Sequence, residues 1–439
     1  MNASRRMIVM AGVTALAGLR LARPAHAKAL APQAVLRAWY GLSLELVRHT
    51  PTYSPPVASR AFAYLGVTAY EAVAGNSGQL RSLAGQLNGL SPLPPRESGA
   101  VYGEAVVLQA ALAAAAGELF ANTGPTGQRA LAKLGQKLSA DVSAGLPADV
   151  ATRSQAQGRA VAAHILTWSR TDGGGVIENL GFPAQYALTK GPAHWVPANL
   201  IALQQTPLLP DWGRNRSFAM PDGASCPLPP PPDYSEDPAS EFYRQALEVV
   251  ETRKNLSAGQ RTIARFWSDD PMLSSTPPGH WQSIALQILA RDQLDLETSV
   301  DVLARLGVAL ADAFIGCWTA KYQYDLLRPV TYIRRVIDPK WESLIATPPF
   351  PEYPSGHSTQ SGAAAAVLTQ AFGENFAFED ATHLKDGIAP RAFGSFWAAA
   401  GEAGISRLYG GIHFRAAVER GLDQGRCIGA FANALRTRT

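Results

Sequence analysis

"AVYGEAVVLQAALAAAAGELF", residues 100–120, repeats apolar side chains at intervals of three and four, with none of the alternation that marks a strand. The same period runs through "AVLRAWYGLSLELVRH" (34–49), "SRAFAYLGVTAYEAVAG" (59–75) and stretches near 127–145 and 151–168. Residues 170–236 break it with "DGGG", "PLLPDW" and "CPLPPPPDY", a Gly/Pro-rich connection that predicts no helix. A loop of that length is usually functional or a divider between halves. Helices resume near Pro238, and Ser257 with Gln260 forms a capping box ahead of "AGQRTIARFW". "HWQSIALQILARDQ" (280–293) follows, then a long segment from about Asp295 to Leu326. Another runs from the motif at Ser355 to about Phe372, and a last from about Arg415 to Leu435. The expectation is an all-α protein with an N-terminal helical half (28–169), a connection (170–236) and a C-terminal helical bundle (237–439).

The composition, 47% hydrophobic and 17% charged over 439 residues, is that of a folded globular chain. The first 27 residues read as an export signal: "SRR" at 4–6, an apolar stretch from Met7 to Leu19, and the small-residue site "AHA" at 25–27. The arginine pair resembles a twin-arginine signal, so a periplasmic or secreted location is expected. The apolar stretch is too short to span a bilayer comfortably. Lys and Arg number 39 against 35 Asp and Glu, and residues 1–27 hold four arginines and no acid. The processed chain is therefore near neutral, which points to neither nucleic acid nor a membrane surface as partner. Cys226, Cys317 and Cys427 lack metal-ligand spacing. One pair could form a disulfide outside the cytoplasm, or Cys317 and Cys427 could be buried thiols on helices.

"PEYPSGHSTQSG", residues 351–362, admits two readings. Ser355 is a plain helix N-cap after Pro354, or the helix start is an anion cradle. In the cradle, free N–H groups and the dipole face a tetrahedral oxyanion, Gly356 opens the backbone and His357 moves a proton. Upstream, "KYQYDLLRP" (321–329) puts Lys321 and Arg328 seven positions apart, about two turns on one helical face, with Pro329 ending the helix. The segment is a solvated basic stripe or half of an anion site. Downstream, "SRLYGGIHF" (406–414) supplies Arg407 and His413, either as parts of that site or as the end of a helix with an incidental histidine. Taken together, three cations, a helix N-terminus and two histidines describe one oxyanion site.

The pattern K-x6-RP, PSGH, SR-x5-H resembles the superfamily uniting type 2 phosphatidic acid phosphatases with vanadium-dependent haloperoxidases, over about residues 258–430. Length and export signal suit the haloperoxidase branch. The resemblance implies two helical bundles with vanadate at the end of the C-terminal one, held by Lys321, Arg328, Ser355, Gly356 and Arg407. It implies His413 as the ligand to vanadium, His357 as acid–base, and Lys321 as the group polarising bound hydrogen peroxide for attack by halide. A small organic acceptor is the implied final partner. "FWSDDP" (266–271) resembles a segment whose acid sits beside an active-site arginine, here Asp270 or else Asp269. Chloride-oxidising members carry Trp and Phe where this chain has Trp318 and Phe350, so these two are the expected halide pocket, closing it from opposite sides.

One departure stands out. The superfamily often has Asp four residues after the last histidine, to orient the imidazole, whereas "HFRAA" puts Ala417 there. A backbone carbonyl or Glu419 is the expected substitute. The rival readings are a soluble acid phosphatase with His413 as nucleophile and a non-catalytic oxyanion-binding protein.

Overall fold

The computed structural model describes residues 30–177, 181–198, 205–270 and 272–439. The expected export segment, residues 1–27, lies outside them. The N-terminal half holds α1 (Pro32–Arg48), α2 (Pro55–Ala74), α3 (Glu104–Leu119), α4 (Pro125–Ser143) and α5 (Ala148–Ser169). Proline opens α1, α2 and α4, where its fixed φ and missing N–H cost nothing. The connection was expected to hold no helix, yet its described residues carry one turn, α6 (Gly174–Ile177), and a 3₁₀ turn at Trp212–Arg214. Asp172 starts α6 by accepting the Gly174 N–H at 2.8 Å.

The C-terminal part holds α7 (Glu241–Lys254), α8 (Ala258–Phe266), α9 (Thr276–Arg291), α10 (Leu296–Tyr324), α11 (Pro329–Val336), α12 (Gly356–Phe372), α13 (Phe396–Tyr409) and α14 (Arg415–Asn433). The Ser257–Gln260 capping box forms at α8 as its sequence requires. Two short strands, β1 (Phe378–Asp380) and β2 (Arg391–Phe393), pair antiparallel between α12 and α13. Among the described residues no helix is long and apolar enough to cross a membrane.

Two glycine seams set the layout. α2 and α10 are buried along nearly their whole lengths, and they cross at Gly66 and Gly307. A Cβ on Gly66 would lie 3.0 Å from the Ala304 Cα, and one on Gly307 3.0 Å from the Ala63 Cα. That crossing joins the two halves through one core. The second seam runs along α14, where Gly421, Gly425 and Gly429 recur every fourth residue against α12. There a Cβ on Gly425 would sit 2.1 Å from the Thr359 carbonyl oxygen. Cys226 and Cys427 form a disulfide that ties the connection to α14, whereas Cys317 is a buried free thiol.

Candidate active site

Ser355 is both things its sequence allowed. As N-cap of α12, its Oγ accepts the Ser358 N–H at 3.3 Å, leaving the hydroxyl proton for another acceptor. Its own N–H is held by the Ala417 carbonyl at 3.0 Å, so the α14 seam fixes the height of the helix start. A Cβ on Gly356 would meet nothing closer than 3.7 Å. Packing therefore does not require glycine there, whereas close access to its N–H does.

The expectation that Lys321 and Arg328 project from one helix is wrong. α10 ends at Tyr324 with Asp325 left-handed (φ 46°), and Pro329 begins α11 rather than ending α10. Arg328 is the extended N-cap residue of α11. The break is local: proline disfavours helical geometry in the residue before it and suits the first helical turn. The chain reverses there, and both cations still turn inward.

Arg328 is fully buried. Its Nε donates to the Phe350 carbonyl (2.8 Å), its Nη1 to the Ile412 carbonyl (2.9 Å) and toward His413 Nε2 (3.1 Å). Lys321 is placed differently from expectation. Its ammonium donates to the carbonyls of Pro351 (2.8 Å), Glu352 (3.0 Å) and Pro354 (2.5 Å), beneath the loop that leads into Ser355. Three donors thus meet three loop acceptors, and the lysine braces the cradle from behind instead of lining the cavity. Arg407, near the end of α13, donates to the Trp267 carbonyl at 2.7 Å.

The carboxylate missing at position 417 comes from elsewhere. Glu352 Oε1 accepts from His413 Nδ1 at 2.9 Å and from the Phe414 N–H at 2.8 Å. Neither expected substitute acts: Glu419 lies at the surface, 3.5 Å from Arg415. With Nδ1 donating to Glu352, the network leaves His413 Nε2 unprotonated, its lone pair turned toward the Arg328 Nη1 donor. Sequence reading missed Glu352, although it lies within the quoted motif, because no local spacing joins residue 352 to residue 413.

Asp270 and Asp269 both line the cavity, and both favour the charged state of Arg407. Asp269 does more. It is buried in a left-handed conformation (φ 49°), and its Oδ2 lies 3.8 Å from His357 Nε2. His280 bridges it to Asp380, donating from Nδ1 to Asp269 (2.9 Å) and from Nε2 to Asp380 (2.7 Å), while His383 Nε2 stands 3.5 Å away. Burial opposes the His280 charge, but the two carboxylates raise its pKa to about 10, and Asp269 and Asp380 are lowered in return. The cluster is an ion-paired brace behind His357.

Trp318 and Phe350 are neighbours in one wall, with ring centroids 5.0 Å apart, rather than facing walls. The Phe350 ring lies 5.1 Å from Lys321 Nζ and 4.8 Å from the Arg328 guanidinium carbon. The cavity they border has a volume of about 420 Å³, and Gly356, His357, Arg407 and His413 reach it.

The electrostatics fit a multiply charged oxyanion. Lys321, Arg328 and Arg407 are at most 3% exposed, and burial pulls their pKa values down to about 7, 9 and 10. Burial holds both histidines well below the usual imidazole value, reinforced by Arg328, Lys321 and Arg407 at His413 and by Arg407, against Asp269, at His357. Arg328 Nη2, Arg407 Nε and His357 Nε2 are buried with no hydrogen-bond partner among the described residues. Unsatisfied arginine donors beside a helix N-terminus are costly unless an anion satisfies them. Vanadate, with tetrahedral oxygens for these donors and a central atom for His413 Nε2, matches the set.

Comparison with known proteins agrees with this geometry. The family model described as the VCPO second helical-bundle domain matches residues 301–439. The chain is 26% identical over 220 residues to the vanadium chloroperoxidase of Curvularia inaequalis, spanning 36% of each chain. A bacterial vanadium-dependent iodoperoxidase structure superposes with a TM-score of 0.85 at 37% identity, covering 92% of this chain and 97% of the other. A holo-type bacterial vanadium-dependent chloroperoxidase structure, 17% identical with a TM-score of 0.70, covers 88% of this chain and 92% of its own and shares the fold.

Proposed function

We propose, on the premise that the chain belongs to the vanadium-dependent haloperoxidase family, that it oxidises halide ions with hydrogen peroxide to hypohalous acid. The observation that carries the reading is the convergence of His413, Arg407 and the α12 N-terminus on one cavity, with the buried Arg328 guanidinium held against His413 Nε2. Bound vanadate supplies a Lewis-acidic centre at which hydrogen peroxide is activated for oxygen transfer to halide.

The chain's own residues do the rest. Arg328, Arg407, the Ser355 hydroxyl and the Gly356 N–H would hold the anion's oxygens, with Lys321 adding positive charge behind the cradle. His413 Nε2 would be the ligand to the bound group's central atom. Turning halide and peroxide into hypohalous acid and water consumes one proton, and His357 is the group placed to deliver it. Burial keeps His357 neutral at rest, and Asp269 at 3.8 Å stabilises its charged form once it takes a proton. The Trp318–Phe350 wall excludes water from the halide, which strengthens the pull of nearby cations. That help matters most for chloride, so bromide and iodide turnover is joined by chloride turnover at acidic pH. A small organic acceptor receives the oxidised halogen. Export with removal of residues 1–27 completes the reading, and Lys28 should be the N-terminus found by mass spectrometry of exported protein.

Glu352 also gives His413 the carboxylate that a nucleophilic imidazole needs, which makes phosphomonoester hydrolysis by the vanadate-free protein the second reading. Purified protein with and without orthovanadate should be assayed for halide oxidation and phosphomonoester hydrolysis side by side. Vanadate-dependent halide oxidation is expected. Hydrolysis with no halide oxidation under any loading refutes the peroxidase reading.

A further inference from the structure

We infer that Glu352 is the positioning residue for His413, a carboxylate moved from the α14 side of the histidine to the loop before α12. The inference rests on the reading of His413 as the group facing the anion's central atom. Four observations carry it.

Glu352 is fully buried, and one oxygen accepts both the His413 Nδ1 proton and the Phe414 N–H. Its backbone is held at both ends, the N–H by the Leu326 carbonyl at 2.9 Å and the carbonyl by Lys321 at 3.0 Å. The backbone that carries the carboxylate is therefore fixed beside the ring. Position 417, where the superfamily resemblance leads one to expect aspartate, is a fully buried alanine that offers no side-chain acceptor. Finally, Glu352 and Ala417 together line one small cavity of about 10 Å³, so the two positions share a single space. Removing the Glu352 side chain would enlarge that space for a carboxylate carried by position 417. Two would bury like charges against each other, which is costly.

The chemistry follows from the tautomer. A carboxylate at Nδ1 keeps the proton there and leaves Nε2 with its lone pair toward Arg328 and the cavity. Without that acceptor the Nδ1 proton loses its partner, and only the Arg328 Nη1 donor still opposes a proton on Nε2, where it would block ligation.

The arrangement predicts a reciprocal exchange. Histidine-selective 15N NMR of the vanadate-free wild type should show His413 as the Nδ1–H form, identified by its loss in His413→Gln. Glu352→Ala should lose that preference and bind orthovanadate, by calorimetry, about 10- to 100-fold more weakly. Glu352→Gln keeps the shape and an acceptor oxygen but not the charge, so its affinity should fall between. Ala417→Asp alone should weaken binding, yet in the Glu352→Ala background it should recover at least about tenfold of what was lost. A simple packing role would not produce that change of sign. Wild-type tautomer and affinity in Glu352→Ala, or a folded double variant no better than Glu352→Ala, overturns the inference. If Glu352→Ala does not fold, Glu352→Gln decides, and wild-type affinity there overturns it. A wild type that binds vanadate but oxidises no halide refutes the peroxidase function and leaves the role of Glu352 intact.

Discussion

Gly425→Ala sets two effects of opposite sign against each other. In a helix interior, alanine is favoured over glycine by about 1 kcal/mol. At 425, however, the added Cβ would lie 2.1 Å from the Thr359 carbonyl oxygen, 2.7 Å from the Ala363 nitrogen and 2.8 Å from the Gly362 Cα. All three are backbone atoms of α12, so no side chain can swing aside. Reaching ordinary contact at 3.4 Å requires α14 to retreat by roughly 1 Å. Overpacking of this kind costs about 1–3 kcal/mol, and a backbone clash belongs at the upper end. The net expectation is a loss of about 2 kcal/mol, a fall of a few degrees in Tm for a chain of this length.

The same retreat pulls the Ala417 carbonyl from the Ser355 N–H, so orthovanadate should also bind more weakly. Thermal denaturation with and without vanadate, together with calorimetry, measures both. Gly41→Ala is the control: it is exposed in the middle of α1 with nothing within 4 Å of its added Cβ, and should stabilise by up to about 1 kcal/mol. If Gly425→Ala is as stable as wild type, the seam is not the close contact it is argued to be. If Tm falls but vanadate affinity does not, the seam stabilises the bundle without setting the cradle.

Arg407→Ala and His413→Ala each remove a direct contact to a multiply charged anion, so calorimetry should show vanadate affinity strongly reduced in both; unchanged affinity in both ends the oxyanion-site assignment. Phe350→His puts a polar ring into the Trp318 wall and should depress chloride turnover more than bromide turnover, whereas equal losses would show that the wall does not discriminate. His280, raised to about 10 from its ordinary 6.5, contributes stability that is full below 6.5 and is lost as pH rises through 10. Asp269 and Asp380 are lowered, so their contribution is present above the ordinary carboxylate value and is lost in acid. Asp269→Asn removes one of the two carboxylates holding His280, and Tm measured from pH 7 to 10 should decline less steeply than in wild type. Parallel curves would mean the cluster contributes no pH-dependent stability.

What the sequence determined by itself is what neighbours in the chain decide. Apolar period set the helices, because burial of one face needs only the spacing of residues three and four apart. Ser257 with Gln260 and Ser355 capped their helices as read, since those bonds close within one turn. The motif order was enough to gather Arg328, His357, Arg407 and His413 around one site. Tertiary structure decided every pairing across long separations. Proline at 329 is ambiguous between ending one helix and opening the next, and only packing chose the second. The partner of Cys427 is 201 residues away at Cys226. Lys321 was expected on the anion, but the carbonyls of Pro351, Glu352 and Pro354 took its three donors, contacts that no periodicity encodes. The carboxylate for His413 came from Glu352, 61 residues upstream, because a buried imidazole needs an acceptor in space, and space is shared by residues that the chain keeps apart.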